Sequence, residues 1–316
     1  MAVKVRDGIL GFAVGDALGV PVEFLKREEI ANNPVDDMKN GGIHGQPKGT
    51  WSDDTSMVLA TLDGIIDGDG VDCYKIADNF CSWVREEKYN AHDTLFDIGA
   101  TTLTSLERYY LYGVEPTMAG GDTYYDNGNG SLMRILPLAY YFRENPENDL
   151  EIATIVNDVS AITHRHEISL MGCYLYTKYA MFLLDGKSFD ESYELLKNVD
   201  VSMYSKEAKK EYKRILDGSL KKLDVDDIKS SGYVVDSLEA SLWCCLTTDC
   251  YKDAVLKAVN LGGDTDTIAA IAGGLAGINY GIKDIPTKWL DDLAKRDYIE
   301  SLADNYEKSI KKVRCK

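Results

Sequence analysis

Apolar residues recur along this chain at helical spacing almost everywhere and at strand spacing almost nowhere. In residues 57–66, Met57, Val58, Leu62, Ile65 and Ile66 fall on one face of a 3.6-residue repeat. Comparable faces run through 74–83, 101–111, 150–162, 168–184, 189–196, 206–216, 235–246, 251–261, 267–278 and 298–313. The pattern predicts an all-α fold. Three glycine-rich loops, at 40–49, 120–130 and 262–263, interrupt it. With only 7 prolines and no Pro/Ser/Gly-rich linker, residues 1–316 are expected to form a single domain. The stretches "GILGFAVGDALG" and "IAAIAGGLAGINYG" look alike, and shared packing chemistry explains this better than duplication. Small residues three or four apart let helix backbones approach closely.

Composition narrows the function. The chain has 35 Lys and Arg against 52 Asp and Glu, a formal charge of −17. A field of that sign repels phosphate backbones and anionic lipid unless a local basic patch overcomes it. No such patch is evident, so neither a nucleic-acid nor a membrane surface is expected. The 7 cysteines include no C-x-x-C pair, which favours reduced thiols in a cytoplasm. The start "MAVKVRDGIL" lacks the apolar stretch of a signal peptide. The longest apolar run, 268–278, is too short to span a bilayer. A cytoplasmic, soluble protein is expected, with a monomer as the expected state.

Two acidic clusters carry the first chemical signal. "TWSDDT" places Asp53 and Asp54 between hydroxyl residues where an apolar helix begins, and "GGDTDT" repeats the arrangement at Asp264 and Asp266. The simpler account is that both cap helices, since Asp and Ser oxygens accept the free N–H groups of a first turn. A cap needs one oxygen, however, whereas each cluster supplies two carboxylates and a hydroxyl, with Thr55 and Thr267 adding more. Hard divalent cations want several oxygen ligands. If the two helix starts face each other, two ions about 3.5–4 Å apart can share a bridging carboxylate.

Other segments add weaker signals. "DNGNGSLMR" reads as a glycine loop feeding a helix, whose backbone N–H groups suit a phosphate or pyrophosphate, although turns use the same residues. Glu23 follows a glycine-rich helix and a Pro turn in an otherwise apolar setting, and an ordinary surface glutamate is the alternative. "ITHRHE" carries His164 and His166, two of the four histidines, which could equally be hydrogen-bonded residues at a helix end.

Together these pieces resemble the ADP-ribosylglycohydrolase family. The ordered matches are "GxxxGDALGxPVEF" (11–24), "GTWSDDTSM" (49–57), "FDIGATT" (96–102), "GNGSLMR" (128–134), "ITHRHE" (162–167) and "GGDTDTIAAIAGGLAG" (262–277). The resemblance covers most of the chain and implies an orthogonal all-α helical bundle. It also implies a centre of two divalent cations, Mg2+ or Mn2+, at the base of an ADP-ribose cleft. The implied metal ligands are Ser52, Asp53, Asp54, Asp264, Asp266 and Thr267. Ser52 stands where the family usually has Thr, and either supplies a hydroxyl. Glu23, Asp97 and Asp266 are the implied catalytic residues, with Glu23 at the same centre either as a ligand or as the acid/base that handles the water, and Asp97 of "FDIG" matches arginine-type members. Gly128, Asn129, Gly130 and Ser131 would cradle the pyrophosphate, and His164 would line the nucleoside part of the cleft. Tyr124 and Tyr125 are candidates for stacking on adenine.

The activity so implied is hydrolysis at C1 of the distal ribose, releasing ADP-ribose from a modified protein side chain or a small ADP-ribosyl compound. No redox cofactor is implied. The competing expectation is a non-catalytic ADP-ribose or nucleotide-binding protein that keeps the cleft. Retention of Asp53, Asp54, Asp264 and Asp266 favours the hydrolase.

Overall fold

A computed structural model describes residues 4–92 and 94–313. Among them the regular elements are helices, broken by short 3-10 turns and three isolated β-bridges. The order opens with α1 (Val5–Gly19), α2 (Arg27–Asn32), α3 (Asp53–Asp67), α4 (Cys73–Glu86), α5 (Ala100–Tyr112) and α6 (Pro116–Ala119). It continues with α7 (Leu136–Glu144), α8 (Asp149–Ala161), α9 (Glu167–Leu184), α10 (Phe189–Leu196), α11 (Lys206–Glu211) and α12 (Lys213–Leu216). It ends with α13 (Val234–Leu246), α14 (Tyr251–Val259), α15 (Thr265–Tyr280), α16 (Thr287–Asp292) and α17 (Arg296–Val313). The all-α expectation holds.

Two helices are apolar on every side, and such helices belong inside. One is α9, whose Tyr176 hydroxyl donates to the Ile271 carbonyl at 3.3 Å and whose Tyr179 hydroxyl donates to the Phe189 carbonyl at 3.0 Å. The other is α15, which lies antiparallel against α1 with almost no side chain between the two. A Cβ added to Gly11, Gly15 or Gly19 would fall 2.4 Å from Gly273 O, 2.1 Å from Ala269 O and 2.3 Å from Asp266 Cα, respectively. The two similar glycine-rich stretches of the sequence are thus the two sides of one seam. Its register brings the end of α1 against the start of α15, where Thr265 Oγ1 donates to the Gly19 carbonyl at 2.9 Å.

The last helix closes the core over this seam. Tyr306 of α17 donates to the Pro137 carbonyl at 2.8 Å, and Val5 N donates to Glu307 Oε2 at 3.3 Å. One connected hydrophobic core extends from Val5 to Ile310. The helix expected over 206–216 is instead split into α11 and α12 at Tyr212. That residue is fully buried and donates its hydroxyl to the Ile168 carbonyl at 2.7 Å, so the helix bends to deliver it. Six of the seven cysteines are free thiols, and Cys315 lies outside the described residues. No helix among the described residues is long and apolar enough to cross a membrane.

Candidate active site

The seam sets α3 and α15 start to start. Ser52 caps α3, its Oγ accepting the Asp54 N–H at 3.3 Å, and Asp53 and Asp54 follow in the first turn, where the helix dipole favours negative charge. At α15, Asp264 occupies the cap position but makes no capping hydrogen bond; its Oδ2 accepts instead from Asn129 Nδ2 at 2.8 Å. Capping therefore explains Ser52 and leaves the aspartates over. The two clusters meet directly: Thr267 Oγ1 and Ser52 Oγ both donate to Asp54 Oδ2, at 3.2 and 3.0 Å.

Among the described residues three overlapping groups of possible ligand atoms form; one is Glu23, His44 and Asp97, the other two are carboxylates alone, and Asp53 falls in none of them. Asp16, Asp54 and Asp266 each place one oxygen within 4.8 Å of the others, and so do Glu23, Asp264 and Asp266. Asp266 belongs to both. Asp54 Oδ1 is buried with no hydrogen-bond partner. An orphaned carboxylate oxygen in a buried cluster of oxygen donors is costly by itself and suits a hard divalent cation. The residues present fit such an ion.

Glu23 reaches this group through a reciprocal backbone pair. Phe24 N donates to the Gly263 carbonyl and Gly263 N to the Leu25 carbonyl, both at 2.8 Å. Gly263 has φ +74 and no room for a Cβ, which would lie 2.1 Å from Ser230 O. The pair pins the turn that holds Glu23 beside Asp264. Asp97 approaches from the loop before α5, with its own φ at +54, an uncommon value for a non-glycine residue.

Burial and mutual repulsion dominate the electrostatics. Burial, then Asp97 and Asp264, pushes Glu23 from an ordinary 4.5 up to about 9. Asp53, Asp54 and Asp266 are raised well above the usual carboxylate range, chiefly by burial and further by neighbouring acids. Burial raises Asp97 too, while His44 opposes the rise. Asp16 rises to about 6 by burial, moderated by hydrogen bonds from Thr55 and Ser52.

These shifts predict a slope of stability with pH. Between the unfolded values near 4 and these raised folded values, the native state holds more protons than the unfolded chain. Stability of the metal-free protein therefore falls as pH rises through that window. The melting temperature of EDTA-treated protein should drop between pH 5 and pH 9, and Mn2+ at pH 8 should restore it. A flat or rising profile without metal would contradict the burial of these acids.

The glycine loop lies next to the acidic centre and over His164. Asn129 Nδ2 donates to Ser237 Oγ as well as to Asp264, both at 2.8 Å, and so links the loop to the carboxylates. A Cβ at Gly130 would meet His164 Cε1 at 2.8 Å and Thr102 Oγ1 at 3.1 Å, so the loop sits flat on the imidazole. His164 is buried, bonded to Thr163 Oγ1 at 2.7 Å through Nδ1 and pushed down to about 3 by burial and Arg134, hence neutral. Ser131 turns its hydroxyl into the core, toward Ser160 and Cys173, leaving its backbone N–H for any ligand. Arg134 is fully buried and spends its guanidinium on Gly130, Thr163, Val159 and Ser160, so it staples the loop from below. Beyond Gly128, Tyr124, Tyr125, Asn127, Gly232 and Tyr233 line an open cavity of about 410 Å³. His166, by contrast, caps α9 and accepts the Ile168 N–H at 3.3 Å.

Two residues of the site carried no sequence signal of their own. Asp16 accepts from Ser52 N (2.9 and 3.1 Å), Thr55 N (3.0 Å) and Thr55 Oγ1 (2.6 Å), locking α3 onto α1. In sequence it is a single acid within "GDALG". His44 touches Glu23 from a glycine loop without periodicity.

Comparison with known proteins points to a single family. The family model described as ADP-ribosylglycohydrolase matches residues 2–314. The chain is 32% identical over 304 residues to "ADP-ribosylarginine hydrolase Tri1" of Serratia proteamaculans, covering 95% of this chain and 78% of that protein. It is 32% identical over 294 residues to "ADP-ribosyl-[dinitrogen reductase] glycohydrolase" of Rhodospirillum rubrum, covering 92% and 90%. A solved structure described as "ADP-ribosylglycohydrolase-related protein complex" superposes with a TM-score of 0.81 at 29% identity, over 98% of both chains. With clustered carboxylates at two facing helix starts and a family match from end to end, the chain belongs to the ADP-ribosylglycohydrolase family.

Proposed function

We propose that this protein hydrolyses the bond between C1 of the distal ribose of ADP-ribose and an arginine side chain, releasing ADP-ribose and the unmodified residue. The observation that carries the reading is the convergence of Asp54 with Thr267 and Asp266 across more than two hundred residues of chain. Two relatives at 32% identity have names that describe arginine or protein de-ADP-ribosylation, which supports the substrate class.

Ser52, Asp53, Asp54, Asp264, Asp266 and Thr267 would hold two divalent cations, Mg2+ or Mn2+, with Asp266 facing both. Such ions, when bound, supply Lewis-acid polarisation and a water of lowered pKa. The protein's own residues do the rest. The backbone N–H groups of Gly128, Gly130 and Ser131 face the pyrophosphate, while that of Asn129 is held by the Gly232 carbonyl at 3.0 Å, and the loop lies flat over a neutral His164 that adds no competing charge. Tyr124 and Tyr125, both exposed, offer faces to adenine at the cavity beyond Gly128. Bond cleavage develops oxocarbenium-like positive charge at C1, and the surrounding carboxylates stabilise it. Glu23, whose carboxylate lies with those of Asp264 and Asp266, takes a proton from the attacking water and returns it to the leaving nitrogen. Asp97, beside Glu23, receives the guanidinium.

The test is release of free ADP-ribose from an ADP-ribosylated arginine peptide with Mn2+ added. Release is expected, abolished by EDTA and restored by excess Mn2+. Tight ADP-ribose binding without release from arginine-, serine- or ester-linked substrates would overturn the reading in favour of a binding protein. A rate indifferent to EDTA would remove the metal role.

A further inference from the structure

One imidazole joins three separate segments at the edge of the acidic centre. His44 sits in a turn closed by hydrogen bonds of 2.8 and 3.1 Å between the backbones of Gly41 and Gln46. Its carbonyl accepts from Gln46 Nε2 at 3.2 Å, which fixes the turn from its own side chains. Its Nε2 lies 2.7 Å from Glu23 Oε2 and 4.0 Å from Asp97 Oδ2. The ring neighbours those of Phe24 and Phe96, with centroids 6.5 and 5.3 Å away and tilted by 57° and 51°. Phe24 keeps φ at +65, uncommon for so bulky a residue, to stay in that place.

We infer that His44 is a positioning residue that holds the Glu23 carboxylate toward Asp264 and Asp266 and keeps the Asp97 loop against it. Among the described residues, His44 is the one hydrogen-bond partner of the Glu23 carboxylate. Every other charged group acting strongly on Glu23 is an acid: Asp97, Asp264, Asp53 and Asp16. A glutamate has three rotatable bonds and nothing else here to hold it among like charges, so without His44 it would turn outward. The two phenylalanines set the plane of the ring, and the ring sets the carboxylate. Outer partners of this kind commonly govern cation affinity and turnover, by about 10–100-fold when removed.

The turnover arm of the test rests on the proposed hydrolase reading, and the metal arm does not. His44→Phe keeps the aromatic contacts with Phe24 and Phe96 and deletes the ring nitrogens, whereas His44→Gln restores an N–H that can reach Glu23. Three quantities are measured on each: Mn2+ affinity by electron paramagnetic resonance titration, melting temperature without metal, and kcat on an ADP-ribosylated arginine peptide. His44→Phe should lose at least about 10-fold in Mn2+ affinity, with kcat reduced and the metal-free melting temperature unchanged. His44→Gln should recover most of the Mn2+ affinity. Wild-type Mn2+ affinity in His44→Phe would overturn the assignment. So would a His44→Gln variant as defective as the Phe one, or a defect in both accompanied by a lowered melting temperature, which would mark a purely structural role. If the wild-type protein releases no ADP-ribose, the proposed function fails, and the Mn2+ titrations still decide the role of His44.

Discussion

Asp266→Asn is expected to abolish Mn2+-dependent release of ADP-ribose almost completely while leaving the helical fold intact. Asp266 is the carboxylate common to both all-carboxylate groups of the centre, so one substitution weakens both. Removing an outer partner of a metal ligand costs about 10–100-fold, and the loss here should exceed that range. Stability should move the other way. Asp266 is buried among Glu23, Asp54, Asp264 and Asp16, all raising its pKa, and a neutral amide of equal size relieves that repulsion. Thr267 N, which donates to Asp266 Oδ1 at 2.9 Å, keeps an acceptor in the amide oxygen. The metal-free variant should therefore melt at or above the wild-type temperature at pH 8. Substantial turnover in Asp266→Asn would contradict its place in the centre. Collapse of the circular dichroism spectrum would show that the aspartate serves the fold instead.

Gly15→Ala should destabilise the protein, against the sign that helix propensity gives. In an exposed helix interior, Gly to Ala gains about 0.5–1 kcal/mol. At position 15 the added methyl would sit 2.1 Å from the Ala269 carbonyl oxygen, a backbone atom that cannot rotate aside. Either α1 or α15 must shift, and overpacking of this kind typically costs 1–3 kcal/mol or more. Thermal denaturation should show a melting temperature lower by roughly 2–5 °C. Because the seam aligns the end of α1 with the start of α15, the same variant should bind Mn2+ more weakly. A higher melting temperature would mean that the two helices do not touch at this point.

The sequence made some of this legible and hid the rest, for physical reasons. Amphipathic helices such as α4 and α17 announce themselves because one face is wet. α7 does not, since Leu136, Leu138 and Ala139 are buried alongside Pro137 and the pattern loses its period. The acidic clusters stood out because like charges in sequence are unfavourable without a counter-ion. Asp16 contributes as much to the centre, yet its partners are backbone N–H groups of a segment 36 positions away, and a lone aspartate in an apolar helix leaves no trace of that. Ser131 and Arg134 belong to the glycine-loop motif and point into the core, which the motif alone does not distinguish from pointing at a ligand. His44 was invisible because side-chain contacts made by loops follow no repeat.

The antiparallel seam also orders events in time. Asp16 and Asp266 are 250 positions apart, which at ordinary translation speeds of about 5–20 residues per second is roughly 12–50 s of synthesis. Throughout that interval the flat face of α1 emerges from the ribosome with nothing to lie against. The face of α1 thus stays uncovered for most of synthesis, and Asp16 and Asp54 can meet Asp266 only after the final third of the chain has been made.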